Sequence, residues 1–263
     1  MEIPGTNNAT VATDAARMPM GRLRWQTVSV ESIEPLGRRA KVVHLRAPDW
    51  PGHLPGQHVD VRLTASDGYQ AQRSYSVASA PHELRLSLAV ECVAGGEVSP
   101  YLTTEVRPGD VFELRGPIGG YFVWDAAPGG LLFMCAGGSG VAPFMAVLEH
   151  RERVARGLPT TLLYSARSPE DAMFAARVDA LARDDPALDV VWTYTREAPQ
   201  AWKGYARRID AAILRETAPP PDDRLLIYVC GPTSFVEGIA TTLVELGYGP
   251  SSIRTERFGP SAE

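Results

Sequence analysis

The chain changes rhythm near its middle. Before it, apolar and polar positions alternate over short runs rich in β-branched residues: Thr27–Ile33, Ala40–Arg46, His58–Leu63, Arg73–Val77, Leu84–Val90 and Val111–Arg115. Turn formers separate these runs at Asp49-Trp50-Pro51-Gly52, Pro55-Gly56, Ser66-Asp67-Gly68 and Pro108-Gly109-Asp110. Period-two alternation punctuated in this way predicts an antiparallel β-barrel or sandwich. The stretch from Gly96 to Glu105 is its one helix-like insertion.

The second half alternates apolar strand runs with helical spacing. Strands are expected at Leu131–Cys135, Thr160–Tyr164, Leu188–Thr193, Leu225–Val229 and Ser252–Arg257. Helices are expected at Ala142–Arg156, from Ser168-Pro169-Glu170-Asp171 onward, at Arg207–Arg215 and at Thr233–Leu246. The Ser168 segment has an N-cap residue, a proline at the first helical position and acids in the first turn. Strands alternating with helices predict an α/β doubly wound parallel sheet. The expected organisation is a lead-in over residues 1–20, a barrel domain over 21–126 and an α/β domain over 127–263, joined at Asp125-Ala126-Ala127-Pro128-Gly129-Gly130.

Composition narrows the class. The chain has 263 residues, 44% of them hydrophobic and 22% charged, enough for two ordinary cores. A net charge of −5 disfavours binding of bulk nucleic acid. Cys92, Cys135 and Cys230 are far apart and form no CxxC pair, so a zinc knuckle, a disulfide framework or an all-cysteine iron–sulfur cluster within this chain is not expected. Unpaired thiols point to the cytoplasm. Residues 1–20 lack the basic and apolar regions of a signal peptide and read as a disordered lead-in. Ala126–Leu148 is uncharged and long enough to span a bilayer, but its glycines and prolines favour a strand, a turn and a helix start.

Three segments carry candidate chemistry. Gly137-Gly138-Ser139-Gly140 follows an apolar strand and opens a helix, so its amides can approach a pyrophosphate. Pro143 stands where a dinucleotide fingerprint has its third glycine, and a plain glycine turn is the alternative. In Arg73-Ser74-Tyr75-Ser76, alternation places Arg73 and Tyr75 on one side and Ser74 and Ser76 on the other. Arginine suits a phosphate and tyrosine a ring system, although an ordinary half-buried strand has the same local pattern. Cys230-Gly231-Pro232 ends a strand, where a lone cysteine is more commonly a buried apolar residue. The histidines His44, His53, His58, His82 and His150 have no metal-ligand spacing, and no metal is expected. Arg151, Arg153 and Arg156 read as a solvated basic helix end.

These segments, with Gly95-Gly96-Glu97-Val98-Ser99 and Gly116-Pro117-Ile118-Gly119 between them, occur in an order that resembles the ferredoxin–NADP reductase superfamily of flavoproteins. The resemblance runs from about Arg24 to the C-terminus and is nearest to the compact bacterial reductases without a fused iron–sulfur domain. It implies an FAD-dependent NAD(P)H oxidoreductase that takes hydride onto flavin and passes electrons to a separate acceptor, such as a ferredoxin or another redox protein. It also implies the site. Arg73 would contact the flavin phosphate, with Ser74 beside it. Tyr75 would pack on the isoalloxazine, and Ser76 would offer its hydroxyl to flavin N5. Gly96, Val98 and Ser99 would bind the pyrophosphate, favouring FAD over FMN. Gly137, Gly138, Ser139, Gly140 and Pro143 would hold the nicotinamide nucleotide. Cys230, with Gly231 and Pro232, would lie near the nicotinamide. Glu256 would assist proton movement or polarise the site, and Phe258 would cover the flavin; a solvated strand end is the alternative for both. Ser165 and Arg167 after the second parallel strand, with Arg196 after the third, point to NADPH, with NADH left open. The competing classes are a non-catalytic flavin-binding module and an electron-transfer subunit of a larger complex.

Overall fold

The computed structural model describes residues 23–83, 85–126 and 130–259. The expected lead-in and the Ala127-Pro128-Gly129 part of the expected linker lie outside these residues. Six antiparallel strands come first: β1 (Trp25–Leu36), β2 (Ala40–Arg46), β3 (His58–Thr64), β4 (Gln70–Ser76), β5 (Leu86–Glu91) and β6 (Val111–Ile118). Their order is β4-β3-β6-β1-β2-β5. The two ends of that order meet where Val77, just after β4, bridges Leu88 of β5, which curls the sheet into a barrel. Alternation explains the interior: Val59 and Val61 of β3, Val43 and Leu45 of β2 and Leu88 of β5 are fully buried in one cluster. The helix-like insertion is a short α1 (Val98–Pro100) continued by a π-helical turn over Tyr101–Glu105.

The second half is a parallel sheet of β7 (Leu131–Gly137), β8 (Thr160–Ala166), β9 (Leu188–Tyr194), β10 (Leu225–Pro232) and β11 (Ile253–Phe258), ordered β11-β10-β7-β8-β9. Helices α2 (Ala142–Val154), α3 (Ala175–Asp184), α4 (Ala211–Thr217) and α5 (Thr233–Glu245) accompany it. The chain steps outward from β7 to β9, then returns to β10 on the other side of β7. The strand order therefore reverses between β7 and β10, where open α/β sheets bind ligands. Among the described residues, no helix is long and apolar enough to cross a membrane.

The two sheets are joined by aromatic packing. Phe122 lies between Phe144 of α2 and Tyr228 of β10, with ring centroids 5.9 and 5.3 Å away, and Trp124 meets His150 edge-on. Tyr228 donates its hydroxyl to the Val123 carbonyl at 2.8 Å, and Arg254 donates to the same oxygen at 2.6 Å.

Three local expectations are corrected. The helix expected from Ser168 is a single 3-10 turn, Pro169–Asp171, and α3 starts only at Ala175. The carbonyl of Glu170 accepts the Arg38 amide from the β1–β2 hairpin, and the Met173 amide goes to the Tyr164 hydroxyl. The bonds that would continue the helix are thus spent on neighbouring elements, and Phe174 takes a left-handed φ of 58°. The helix expected at Arg207–Arg215 begins at Ala211, because the Asp210 side chain caps it by accepting from Ile213 N. Arg151 is not part of a solvated face. It is 2% exposed and pairs with Asp185 at 2.8 Å. The turn before β8 folds over it, and its Nε also donates to Thr160 Oγ1 at 2.7 Å.

Candidate active site

On the barrel side, Arg73 and Ser74 are exposed, Tyr75 is half-buried and Ser76 is 3% exposed. Arg73 makes one short bond, Nη1 to the Gln72 carbonyl at 2.6 Å, and no carboxylate pairs with it among the described residues. Tyr75 packs against the barrel core, and burial pushes its phenol well above the ordinary tyrosine range. Ser74 donates to Asp60 at 2.6 Å, and Arg115 grips the same carboxylate at 2.6 Å. Burial would raise Asp60, but these two bonds outweigh it and hold the carboxyl below its ordinary value. Ser74 therefore fixes the strand more than it faces a ligand. Ser76 Oγ is buried without a hydrogen-bond partner.

The α1 segment departs in detail from the expected cradle. Val98 is fully buried, and Ser99 turns inward, its Oγ accepting the Val93 amide at 3.1 Å. Gly96 lies in the same turn, with its amide on the Val93 carbonyl. Any contact from Ser99 to a pyrophosphate would have to be made by its backbone.

On the α/β side the glycines of the turn after β7 are held by close packing. A Cβ on Gly140 would stand 2.1 Å from the Cys230 carbonyl oxygen, and one on Gly137 would stand 2.9 Å from the Phe235 ring. Gly138 has φ +54° with open space where a Cβ would be, and its carbonyl accepts the Tyr164 hydroxyl at 3.2 Å. Ser139 is half-buried, and Pro143 lies in the first turn of α2. The turn thus rests directly on the end of β10, at the strand reversal between β7 and β10. Ser165 pairs in register with Gly137. Arg167 and Arg196 are neighbours, the Arg196 amide bonding to the Arg167 carbonyl at 2.9 Å. The Glu197 amide donates to the same carbonyl at 3.0 Å.

The two sides meet. Cys230 of β10 is in register with Glu256 of β11, and Ser76 of β4 with His58 of β3. His58 Nδ1 lies 3.4 Å from Glu256 Oε1, so a barrel residue touches a residue of the parallel sheet. Burial first, then the Glu256 charge, pushes the Cys230 thiol well above its ordinary value and keeps it protonated. Glu256 Oε2, like Ser76 Oγ, is buried without a partner. Phe258, in register with Pro232, packs on the core cluster that contains Trp124 and Cys230. Ser76, Cys230 and Glu256, far apart in the chain, thus converge, while Arg73 lies three residues before Ser76 on β4 and α1 and the Arg167–Arg196 pair lie on other elements. The contact of His58 with Glu256 joins residues that no single window of sequence contains.

The donor set fits a dinucleotide flavin opposite a nicotinamide nucleotide. Two buried polar atoms lack partners at the meeting point, Arg73 on the same strand as one of them has no carboxylate partner among the described residues, and a glycine-rich turn packs on the strand end that carries Cys230. Buried polar groups are rarely left unpaired, so these suit a ligand's polar atoms.

The comparisons agree with this geometry. The oxidoreductase FAD-binding domain family matches residues 28–123, and the oxidoreductase NAD-binding domain family matches residues 134–241. The glycine betaine monooxygenase reductase subunit of Pseudomonas aeruginosa is 29% identical over 210 residues, which are 79% of this chain and 56% of that protein. The chain thus spans little more than half of that relative's length. The FAD/NAD-binding domain of nitric oxide dioxygenase from Vibrio cholerae superposes with a TM-score of 0.78 at 24% identity, covering 89% of this chain and 99% of that one. A ferredoxin NADP+ reductase from Neisseria gonorrhoeae, with bound FAD and NADP, gives a TM-score of 0.76 at 23% identity, covering 89% and 98%. The chain thus carries an oxidoreductase FAD-binding domain followed by an oxidoreductase NAD-binding domain, and is an FAD-dependent oxidoreductase that shares the two-domain fold of the ferredoxin NADP+ reductase.

Proposed function

We propose that this chain is an NAD(P)H reductase that prefers NADPH and serves a separate electron acceptor, either a ferredoxin or the redox protein of an oxygenase system. The observation that carries the reading is the meeting of Ser76, Cys230 and Glu256 across the two sheets, joined by the 3.4 Å contact of His58 with Glu256. Bound FAD would supply the chemistry, accepting two electrons from reduced nicotinamide and releasing them singly.

The protein's part is binding and orientation. Arg73 neutralises the flavin phosphate, Tyr75 offers an apolar ring face, and the Ser76 hydroxyl donates toward flavin N5. The backbone from Gly96 through Val98 to Ser99 flanks the pyrophosphate. The turn from Gly137 to Gly140, closed by Pro143, seats the nicotinamide nucleotide, and Ser165, Arg167 and Arg196 receive a 2′-phosphate. Cys230, Gly231 and Pro232 border the nicotinamide, Glu256 polarises the site there, and Phe258 covers the cleft. We place the division between the two units near residue 126. Three free cysteines favour a reducing, cytoplasmic compartment. The likeness to a monooxygenase reductase subunit favours an acceptor on a partner protein.

The test is an anaerobic absorbance experiment with NADPH and NADH in separate cuvettes. The expected result is a flavin band near ~450 nm that bleaches faster with NADPH. A yellow protein bleached by neither nucleotide would reduce the reading to a flavin-binding module. A colourless protein that FAD does not reconstitute would remove the flavin site.

A further inference from the structure

The contact between His58 and Glu256 is built more firmly on one side than on the other. His58 lies in β3 between two hydrogen-bonded partners, in register with Ser76 of β4 and Ile118 of β6. Its ring lies against the Gly119 backbone, where a Cβ would stand 3.6 Å from Nδ1 and 3.8 Å from Cε1. Gly119 has φ +102°, and Gln57 donates to its carbonyl at 2.7 Å, which fixes the loop beside the ring.

Glu256 has none of that support. Its strand, β11, is the edge of the parallel sheet and has only β10 beside it. The side chain is long and rich in rotamers, so holding it in one orientation costs entropy. Its Oε1 has His58 as partner, while its Oε2 is buried and unpartnered beside the Cys230 position. The other charged group acting on His58, Asp60, is already engaged by Ser74 and Arg115.

We propose that His58 is a positioning residue for the nicotinamide end of the dinucleotide. By holding one oxygen of Glu256 it keeps the other turned toward the space beside Cys230, ready to accept an N–H donor such as the nicotinamide carboxamide. This rests on the nucleotide-binding reading above. His58 acts through Glu256 and across the gap between the sheets, so its effect belongs to the nicotinamide ring and not to the adenosine end.

The test uses FAD-loaded protein and oxidised NADP+, with binding followed by the flavin difference spectrum and by calorimetry. His58→Ala is expected to weaken NADP+ about fivefold, Glu256→Gln at least as much, and the double variant no more than Glu256→Gln alone. His58→Asn, which keeps a polar atom near the Nδ1 position, should recover much of the loss. The 2′-phospho derivative of ADP-ribose, which lacks the nicotinamide, should bind all variants equally. Additive losses, or a parallel loss of the nicotinamide-free ligand, would overturn the positioning role. A wild-type protein that holds FAD but binds neither NADP+ nor NAD+ would overturn the nucleotide reading and this role with it.

Discussion

In β4 the candidate positions are side chains on a strand: Arg73 and Ser74 exposed, Tyr75 half-buried, Ser76 buried. In the turn after β7 they are mostly missing side chains, with Gly137 and Gly140 packed against Phe235 and the Cys230 carbonyl. Under the function proposed above both regions would serve a dinucleotide, one through side chains on a strand and the other through a glycine-rich turn. At the strand reversal of the α/β unit the turn is pressed onto the end of β10 and the Phe235 ring, and among its glycines only Gly138 has open space where a Cβ would be. The contrast predicts different failures. Substitutions in the turn should damage the fold and the site together, whereas substitutions in β4 should damage the site alone.

Gly140→Ala should break the first half of that contrast and have the largest effect. Its Cβ would lie 2.1 Å from a backbone oxygen, which cannot swing aside as a side-chain tip could. Overpacking of this kind costs about 1–3 kcal/mol. The strand end that must move carries Cys230, so bleaching by NADPH should fall steeply along with the thermal midpoint. Normal stability with normal bleaching would show that the turn and β10 are not coupled. Arg73→Ala tests the other half. Arg73 is exposed and bonds only to its neighbour's carbonyl, so the unfolding midpoint of the apoprotein should stay unchanged. Losing a charge-assisted contact of about 1.5–3 kcal/mol should weaken FAD about 10- to 100-fold, read by equilibrium dialysis against free flavin. An unchanged FAD affinity would detach β4 from the phosphate.

The glycine turn and the Arg-x-Tyr-Ser strand were legible because each is local, and so was the alternation of strands and helices. What the sequence withheld is what crosses the fold. The convergence of His58 with Glu256 depends on how two sheets face each other, and no window of sequence contains both residues. Arg151 looked solvated because Asp185, its partner, comes from the turn beyond the next helix. The Ser168 capping pattern was sound as a local signal, but tertiary bonds from Arg38 and Tyr164 took the groups a longer helix needs. Ser99 looked available for a phosphate until its inward bond to Val93 was visible.

Arg167→Ala sharpens the comparison within the nucleotide half. If its guanidinium receives a 2′-phosphate, KM should rise about tenfold or more for NADPH and little for NADH, since only one of them carries that group. Equal changes for both nucleotides in the Arg167 variant would remove the assignment and leave Arg167 a surface charge.

The smallest effect belongs to a second place where the two units face one another, a cleft of about 240 Å³ lined by Glu34, His44, Glu83, Met145, Glu149 and Arg177. Burial, and next the nearby Glu149, raise Glu83 from the ordinary 4.5 to about 6, while Arg177 is occupied by Glu149 at 2.8 Å and Glu152 at 3.4 Å. A carboxyl that holds its proton more tightly in the folded state favours folding while protonated. Its contribution is complete below 4.5 and is lost as the pH climbs through 6. Glu83→Gln keeps a polar group in the cleft and removes the charge that must form there. The variant should match the wild type at pH 4.5 and melt higher at pH 7.5, with the gap opening between the two. Because Glu83 keeps much of its surface in water, the gain should be only about 1 °C. A larger gain would mean that ionisation of this pair strains the contact between barrel and α/β unit; a gain already present at pH 4.5 would trace the effect to packing and not to charge.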